Sequence, residues 1–132
     1  MAGILGDGRT PDTGPERSLS GISRDWLRET MEVNVIGHVM VTQALMPQLK
    51  RKRGQAHEQH SLRFSKVVNL SARVGSISDN GLGGWYSYRM SKAALNQFTK
   101  TAGLEMKRHG CVVLALHPGT TDTDLSVPFQ KN

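Results

Sequence analysis

The chain has 132 residues, enough for one hydrophobic core and too few for two ordinary domains. With 37% hydrophobic and 21% charged residues it is not a disordered or low-complexity polymer, and no run approaches the ~20 apolar residues of a membrane span. The formal net charge of +6 is uneven: between residues 49 and 66 six Lys/Arg stand against Glu58 alone, led by Lys50-Arg51-Lys52-Arg53. Cations suit the negative end of a helix dipole, and no aromatic residues interleave the run to stack on bases, so a solvated helix end is expected rather than a nucleic-acid site.

Residues 4–20 are rich in Gly, Asp, Pro, Thr and Ser and are expected to form a surface loop. Ser23 can cap a helix over Arg24–Met31, with Asp25 well placed in its first turn. From 33 to 49 the apolar residues Val35, Ile36, Val39, Met40, Ala44 and Leu45 recur at helical spacing. That predicts a long helix, loosened at Pro47 and closed by the basic run and Gly54. The polar stretch 55–63 is expected to be an exposed insertion. Its His57, Glu58 and His60 lack the further ligands and fixed geometry of a metal site, so no metal is expected.

Residues 66–71 (Lys-Val-Val-Asn-Leu-Ser) are short, apolar and β-branched, the pattern of a buried strand. A glycine-rich loop over 76–84 follows. From 86 to 108 there is no proline, and Met90, Ala93, Ala94, Leu95, Phe98, Ala102 and Leu104 mark one broad face. This predicts a second long helix, stopped by Gly110. Cys111–Leu116 predicts a second buried strand, broken by His117-Pro118-Gly119, and 120–132 is irregular. The order helix, strand, helix, strand with continuous apolar strands predicts an α/β parallel sheet. The single cysteine, Cys111, excludes an internal disulfide, and with no charged-then-apolar leader at the N-terminus it points to the cytoplasm.

Tyr88 and Lys92 are four residues apart and share one face at the start of the second long helix. An ammonium beside a phenol favours phenolate and lowers a pKa that starts near ~10, which suits proton exchange with an alcohol or carbonyl. The stretch Tyr86-Ser87-Tyr88-Arg89-Met90-Ser91-Lys92-Ala93-Ala94-Leu95-Asn96 resembles the active-site helix of short-chain dehydrogenases/reductases, whose signature is Tyr-x-x-x-Lys. Tyr86 has Met90 four residues on, so Tyr88 is the candidate.

Four further segments match that family in the same order. Ala2-Gly3-Ile4 resembles the tail of its Asn-Asn-Ala-Gly turn. Val33-Asn34-Val35 resembles the helix position of its tetrad asparagine. Val67-Val68-Asn69-Leu70-Ser71 resembles the strand leading to its catalytic serine, and His117-Pro118-Gly119 with Thr121 and Thr123 resembles the loop against the nicotinamide. Ser71 to Ile77 with Gly83-Gly84-Trp85-Tyr86 is similar to the C-factor-like or carbonyl-reductase-like branch.

The resemblance implies a partial Rossmann-like, doubly wound parallel sheet and hydride transfer between NADP or NAD and a small carbonyl or alcohol. Tyr88 would be the acid or base and Lys92 would lower its pKa and hold the nicotinamide ribose. Asn34 would support a proton relay through a helix kink. The family's usual second serine is Ala72 here, so Ser71 is favoured for orienting the substrate oxygen, with Ser76 as the alternative. Ala2, Gly3, Tyr88, Lys92, Pro118, Gly119, Thr121 and Thr123 would line the cofactor, and the two long helices would form homodimer contacts.

A dinucleotide site needs a Gly-rich turn between a strand and a helix N-terminus. Gly3, Gly6 and Gly8 follow no strand and open no helix. The expectation is therefore one partial domain over 1–132, the catalytic half without the cofactor unit, with uncovered sheet edges and apolar helix faces. The alternative function is a catalytically inactive subunit that acts by pairing with another protein.

Overall fold

The computed structural model describes residues 3–6, 14–50 and 65–119. Ala2, Arg51 to Arg53, His57, Glu58, His60, Thr121 and Thr123 lie outside them. Helix α1 (Arg24–Met31) starts where Ser23 accepts the Trp26 amide at 3.4 Å, with Asp25 in the first turn.

The chain does not leave the helix after Met31. It widens into a π-helical turn, Glu32–Ile36, in which the Gly37 amide reaches back to the Glu32 carbonyl, and runs on as α2 (Gly37–Leu49). A π turn inserts one residue without ending the helix, so the two expected helices form one continuous rod. Pro47 removes one i→i−4 bond near the end of α2 without ending the helix, which runs on for two more residues. The helix ends at Leu49, and Lys50 turns to an extended conformation with its amide still on Met46 at 3.1 Å.

Strand β1 (Ser65–Leu70) pairs in parallel with β2 (Cys111–Leu116), Ser65 opposite Cys111 through Leu70 opposite Leu116. Between them lies α3 (Tyr86–Met106), giving one parallel β-α-β unit. Its last expected turn tightens to a 3₁₀ segment, Lys107–His109, which Gly110 closes at φ 67°. Cys111, Val113 and Met106 form a buried apolar cluster, with Met46, Leu49, Val67 and Ala102 packed against it.

Burial along β2 alternates at first, although the sequence predicted strands buried on both faces. Among the described residues helices pack on one side of the sheet, so Val68 and its direct partner Leu114 remain half exposed on the other. One face of this two-stranded sheet therefore carries apolar side chains without cover among these residues.

Helix α3 also turns differently from its apolar pattern. Its buried positions are Ser87, Tyr88, Ser91, Lys92, Leu95, Thr99 and Met106, while Met90 and Leu104 are exposed. The inward face is largely small and polar because its hydroxyls bond inside the fold. The Thr99 hydroxyl donates to the Leu95 carbonyl at 2.8 Å and accepts from the side-chain Nδ2 of Asn69, on β1, at 2.9 Å.

The segment after β1 docks on this helix through Gly75. A Cβ there would lie 2.8 Å from Lys92 Cβ and 2.9 Å from the Lys92 backbone carbon. Gly75→Ala should therefore cost about 1–3 kcal/mol through overpacking, and Leu95→Ala, which empties a fully buried site, about 2–5 kcal/mol. Urea denaturation checks both; a Gly75→Ala chain as stable as the parent would show that the close approach is not needed.

Candidate active site

The π turn carries Asn34, which is fully buried. Its Oδ1 accepts the Ile4 amide at 2.8 Å, and its Nδ2 donates to the Ile4 carbonyl at 2.8 Å and to Ser91 Oγ at 3.1 Å. The Ser91 hydroxyl then donates to the Tyr88 carbonyl at 2.8 Å. Asn34 thus holds the N-terminal segment at Ile4 and, through Ser91, the turn that bears Tyr88.

Tyr88 and Lys92 lie in the first turns of α3 and are both buried. The Lys92 ammonium sits 5.5 Å from the Tyr88 ring centroid, within cation–π range, and donates to the Leu70 carbonyl at 3.0 Å. A Cβ on Gly3 would come within 3.8 Å of that ammonium.

The electrostatics differ from the sequence expectation. Burial pushes the Tyr88 phenol above its ordinary value and draws the Lys92 ammonium below its own. Loss of water disfavours the charged form of each group. The ammonium stands over the ring, and that placement does not reverse the effect of burial on the phenol.

Ser71 continues the ladder beyond β1, its amide on the Leu116 carbonyl at 2.8 Å. Its hydroxyl donates to Asn96 Oδ1 at 2.6 Å, and Asn96 in turn donates to the Gly75 carbonyl at 3.4 Å. Ser76 instead meets Ser78 across 3.2 Å at the surface. Pro118 and Gly119 leave the carboxyl end of β2, next to the end of β1 from which Ser71 emerges. Open α/β sheets take ligands at the carboxyl ends of their strands. The described candidates Gly3, Asn34, Ser71, Tyr88 and Lys92 are thus linked by contacts to one another or to the same strand end.

Three supporting residues carry no distinct signal of their own in the sequence. Ser91 and Asn96 were seen only as part of a motif, although a helical serine three residues after Tyr88 is placed to bond its carbonyl. Arg89 gathers the glycine loop, donating to the carbonyls of Gly84, Gly83 and Val74 at 2.9, 3.1 and 3.3 Å. Its role depends on how the loop folds back, which spacing does not reveal.

A sequence model of the short chain dehydrogenase family matches residues 2–132. C-signal of Myxococcus xanthus is 36% identical over 102 residues, which are 77% of this chain and 55% of that protein. The carbonyl reductase Sniffer of D. melanogaster superposes with a TM-score of 0.79 at 28% identity, covering 95% of this chain and 48% of that one. An NADPH-bound carbonyl reductase from chicken fatty liver superposes with a TM-score of 0.70 at 33% identity, over 87% of this chain and 46% of that one. The chain spans about half the length of such relatives. Fold, ordered motifs and family match agree, and the chain belongs to the short chain dehydrogenase family.

Proposed function

We propose that the chain is the catalytic half of one NAD(P)-dependent oxidoreductase domain, moving a hydride between nicotinamide and a small carbonyl or alcohol. The observation that carries this reading is the buried Tyr88–Lys92 pair on one face of α3, with the ammonium 5.5 Å from the ring centroid. The NADPH-bound state of the chicken carbonyl reductase structure lends support for the cofactor class. A buried unpaired thiol at Cys111 agrees with a cytoplasmic setting, and among the described residues no helix is long and apolar enough to cross a membrane.

The residues fit the nicotinamide end of such a cofactor. Lys92 keeps two N–H groups with no acceptor among the described residues, beside the carboxyl ends of two parallel strands. Lys92 and Tyr88 would hold the ribose, and Pro118, Gly119, Thr121 and Thr123 would lie against the nicotinamide, with Ala2 and Gly3 lining the approach. When bound, the cofactor supplies or accepts the hydride.

Tyr88, kept protonated by burial, would give its hydroxyl proton to the substrate oxygen as the carbonyl becomes an alcohol, and would take that proton back in the oxidation. Asn34 holds the Tyr88 turn in place through Ser91 and would support reprotonation. Ser71 would hold the substrate oxygen, exchanging its hydrogen bond to Asn96 for one to the substrate, since a carbonyl needs a donor. Ser76 is the alternative serine.

A second reading, a cofactor-free subunit that pairs with another chain or itself, draws on the exposed apolar residues Ile36, Met40, Val41 and Leu45 of the helical rod, since exposed apolar surface can mark an interface.

Titration with NADPH and NADH, followed by nicotinamide fluorescence, separates the two. Binding that saturates, and that Lys92→Ala weakens at least about tenfold, the loss of about 1.4 kcal/mol from one charged hydrogen bond, would show that this half assembles a working cofactor site without the Gly-rich turn. Tyr88→Phe retains binding and loses carbonyl reduction. A folded chain with no saturable binding, yet dimeric by analytical ultracentrifugation, would leave the second reading standing. The pH dependence has a definite sign. Lys92 holds the cofactor while charged, and burial lowers its pKa, so affinity should fall as pH rises through a value below the ordinary lysine ~10.4. Binding that holds unchanged past that ordinary value would exclude the ammonium as the holding group.

A further inference from the structure

We infer that Glu16 is a positioning residue for Tyr88: its carboxylate replaces the missing N-cap of α3 and fixes the turn that carries the phenol. The inference rests on the reading of Tyr88 as the proton donor.

Helix α3 begins without a local cap. Its N-cap residue, Trp85, is left-handed at φ 55°, its side chain makes no capping bond, and the first turn holds no acidic residue. The first amides of a helix have no partner within it, and an unmet amide at a buried end is costly. Glu16, 71 residues earlier, meets this need. Its Oε2 accepts the Ser87 amide at 3.1 Å and its Oε1 accepts the Ser87 hydroxyl. Its backbone carbonyl takes the Trp85 amide as well. A negative charge at a helix N-terminus is further favoured by the dipole.

The carboxylate is itself held in place. Glu16 is 5% exposed and Ser87 fully buried. Gly14 packs so tightly on α1 that a Cβ there would lie 2.2 Å from Trp26 Nε1, and a Cβ on Gly84 would come within 3.5 Å of the Glu16 carbonyl. The segment is wedged between α1 and the glycine loop, and its carboxylate meets the turn of α3 ahead of the phenol.

Tyr88 is the next residue after Ser87. Its ring meets that of Trp85 edge to face, with centroids 6.3 Å apart and planes at 72°. On the other side Ser91 holds its carbonyl. Glu16 therefore restrains the chain before the phenol, and Asn34, through Ser91, restrains it after. Removing the carboxylate frees the first turn and lets the Tyr88 ring leave Trp85.

Tyr86→Phe leaves Tyr88 as the single tyrosine, so its ring protons can be read by NMR without ambiguity, displaced by the ring current of Trp85. In that background Glu16→Ala should move these signals toward free-tyrosine positions. Glu16→Gln, which keeps an acceptor oxygen for Ser87, should restore most of the displacement. Circular dichroism tracks helix content alongside. A folded Glu16→Ala chain with unmoved Tyr88 signals overturns the proposal and reduces Glu16 to a helix cap. Where Glu16→Ala does not fold, Glu16→Asp, whose shorter side chain draws the carboxylate back from both the amide and the hydroxyl of Ser87, serves instead, and unmoved Tyr88 signals in it overturn the proposal. The measurement contains no cofactor, so failure of NADPH to bind would sink the hydride-transfer reading without touching this result.

Discussion

The carboxamide of Asn34 is the fixed point from which the candidate site is built. It is fully buried, and its oxygen and both its N–H groups have partners: the Ile4 amide, the Ile4 carbonyl and Ser91. A buried amide left unpaired is costly, so these bonds form together. They tie the segment at Ile4 to the helical rod and the rod to α3, across separations of 30 and 57 residues. The π turn from Glu32 to Ile36 bears the residue that makes these bonds, and π turns often occur at functional sites.

What Asn34 does for one side of the site, the interior face of α3 does for the rest. That face runs Ser87, Tyr88, Ser91, Lys92, Leu95 and Thr99. Asn96, beside it, holds Ser71, while Thr99 holds Asn69 and Lys92 reaches the Leu70 carbonyl. Helix and strand end are thus joined by directional bonds around the buried Leu95, and beyond Thr99 the contact becomes the apolar cluster of Met106, Cys111 and Val113. Polar bonding at one end and hydrophobic packing at the other give a helix whose chemically interesting turn is held by geometry. Water is excluded from Tyr88 and Lys92 as a consequence, and this exclusion governs both pKa directions.

Much of this was legible in the residues. Ser23 and Gly110 marked helix ends that the structure confirms, and β2 has the predicted bounds Cys111–Leu116. Four-residue spacing placed Tyr88 and Lys92 together. The apolar pattern was a poorer guide to which face of α3 turns inward, because Ser87, Ser91 and Thr99 are buried by virtue of their hydrogen bonds, whereas Met90 and Leu104 remain outside. The sign of the Tyr88 shift was missed for a related reason. Spacing reports that a lysine is near, but not how much water the fold removes from both groups.

By itself the sequence determined what is local: the helical and strand periods, the caps and stops, and the presence of a phenol and an ammonium on one helix face. These follow from interactions within a few residues, which side-chain spacing encodes. Only the tertiary structure decided which partners meet across the chain: Asn34 with Ile4 and Ser91, Ser71 with Asn96, and Glu16 with Ser87. Such bonds link positions 25 to 71 residues apart. They exist once chain closure and burial have made an unpaired polar group too costly to leave, and no local pattern records that cost.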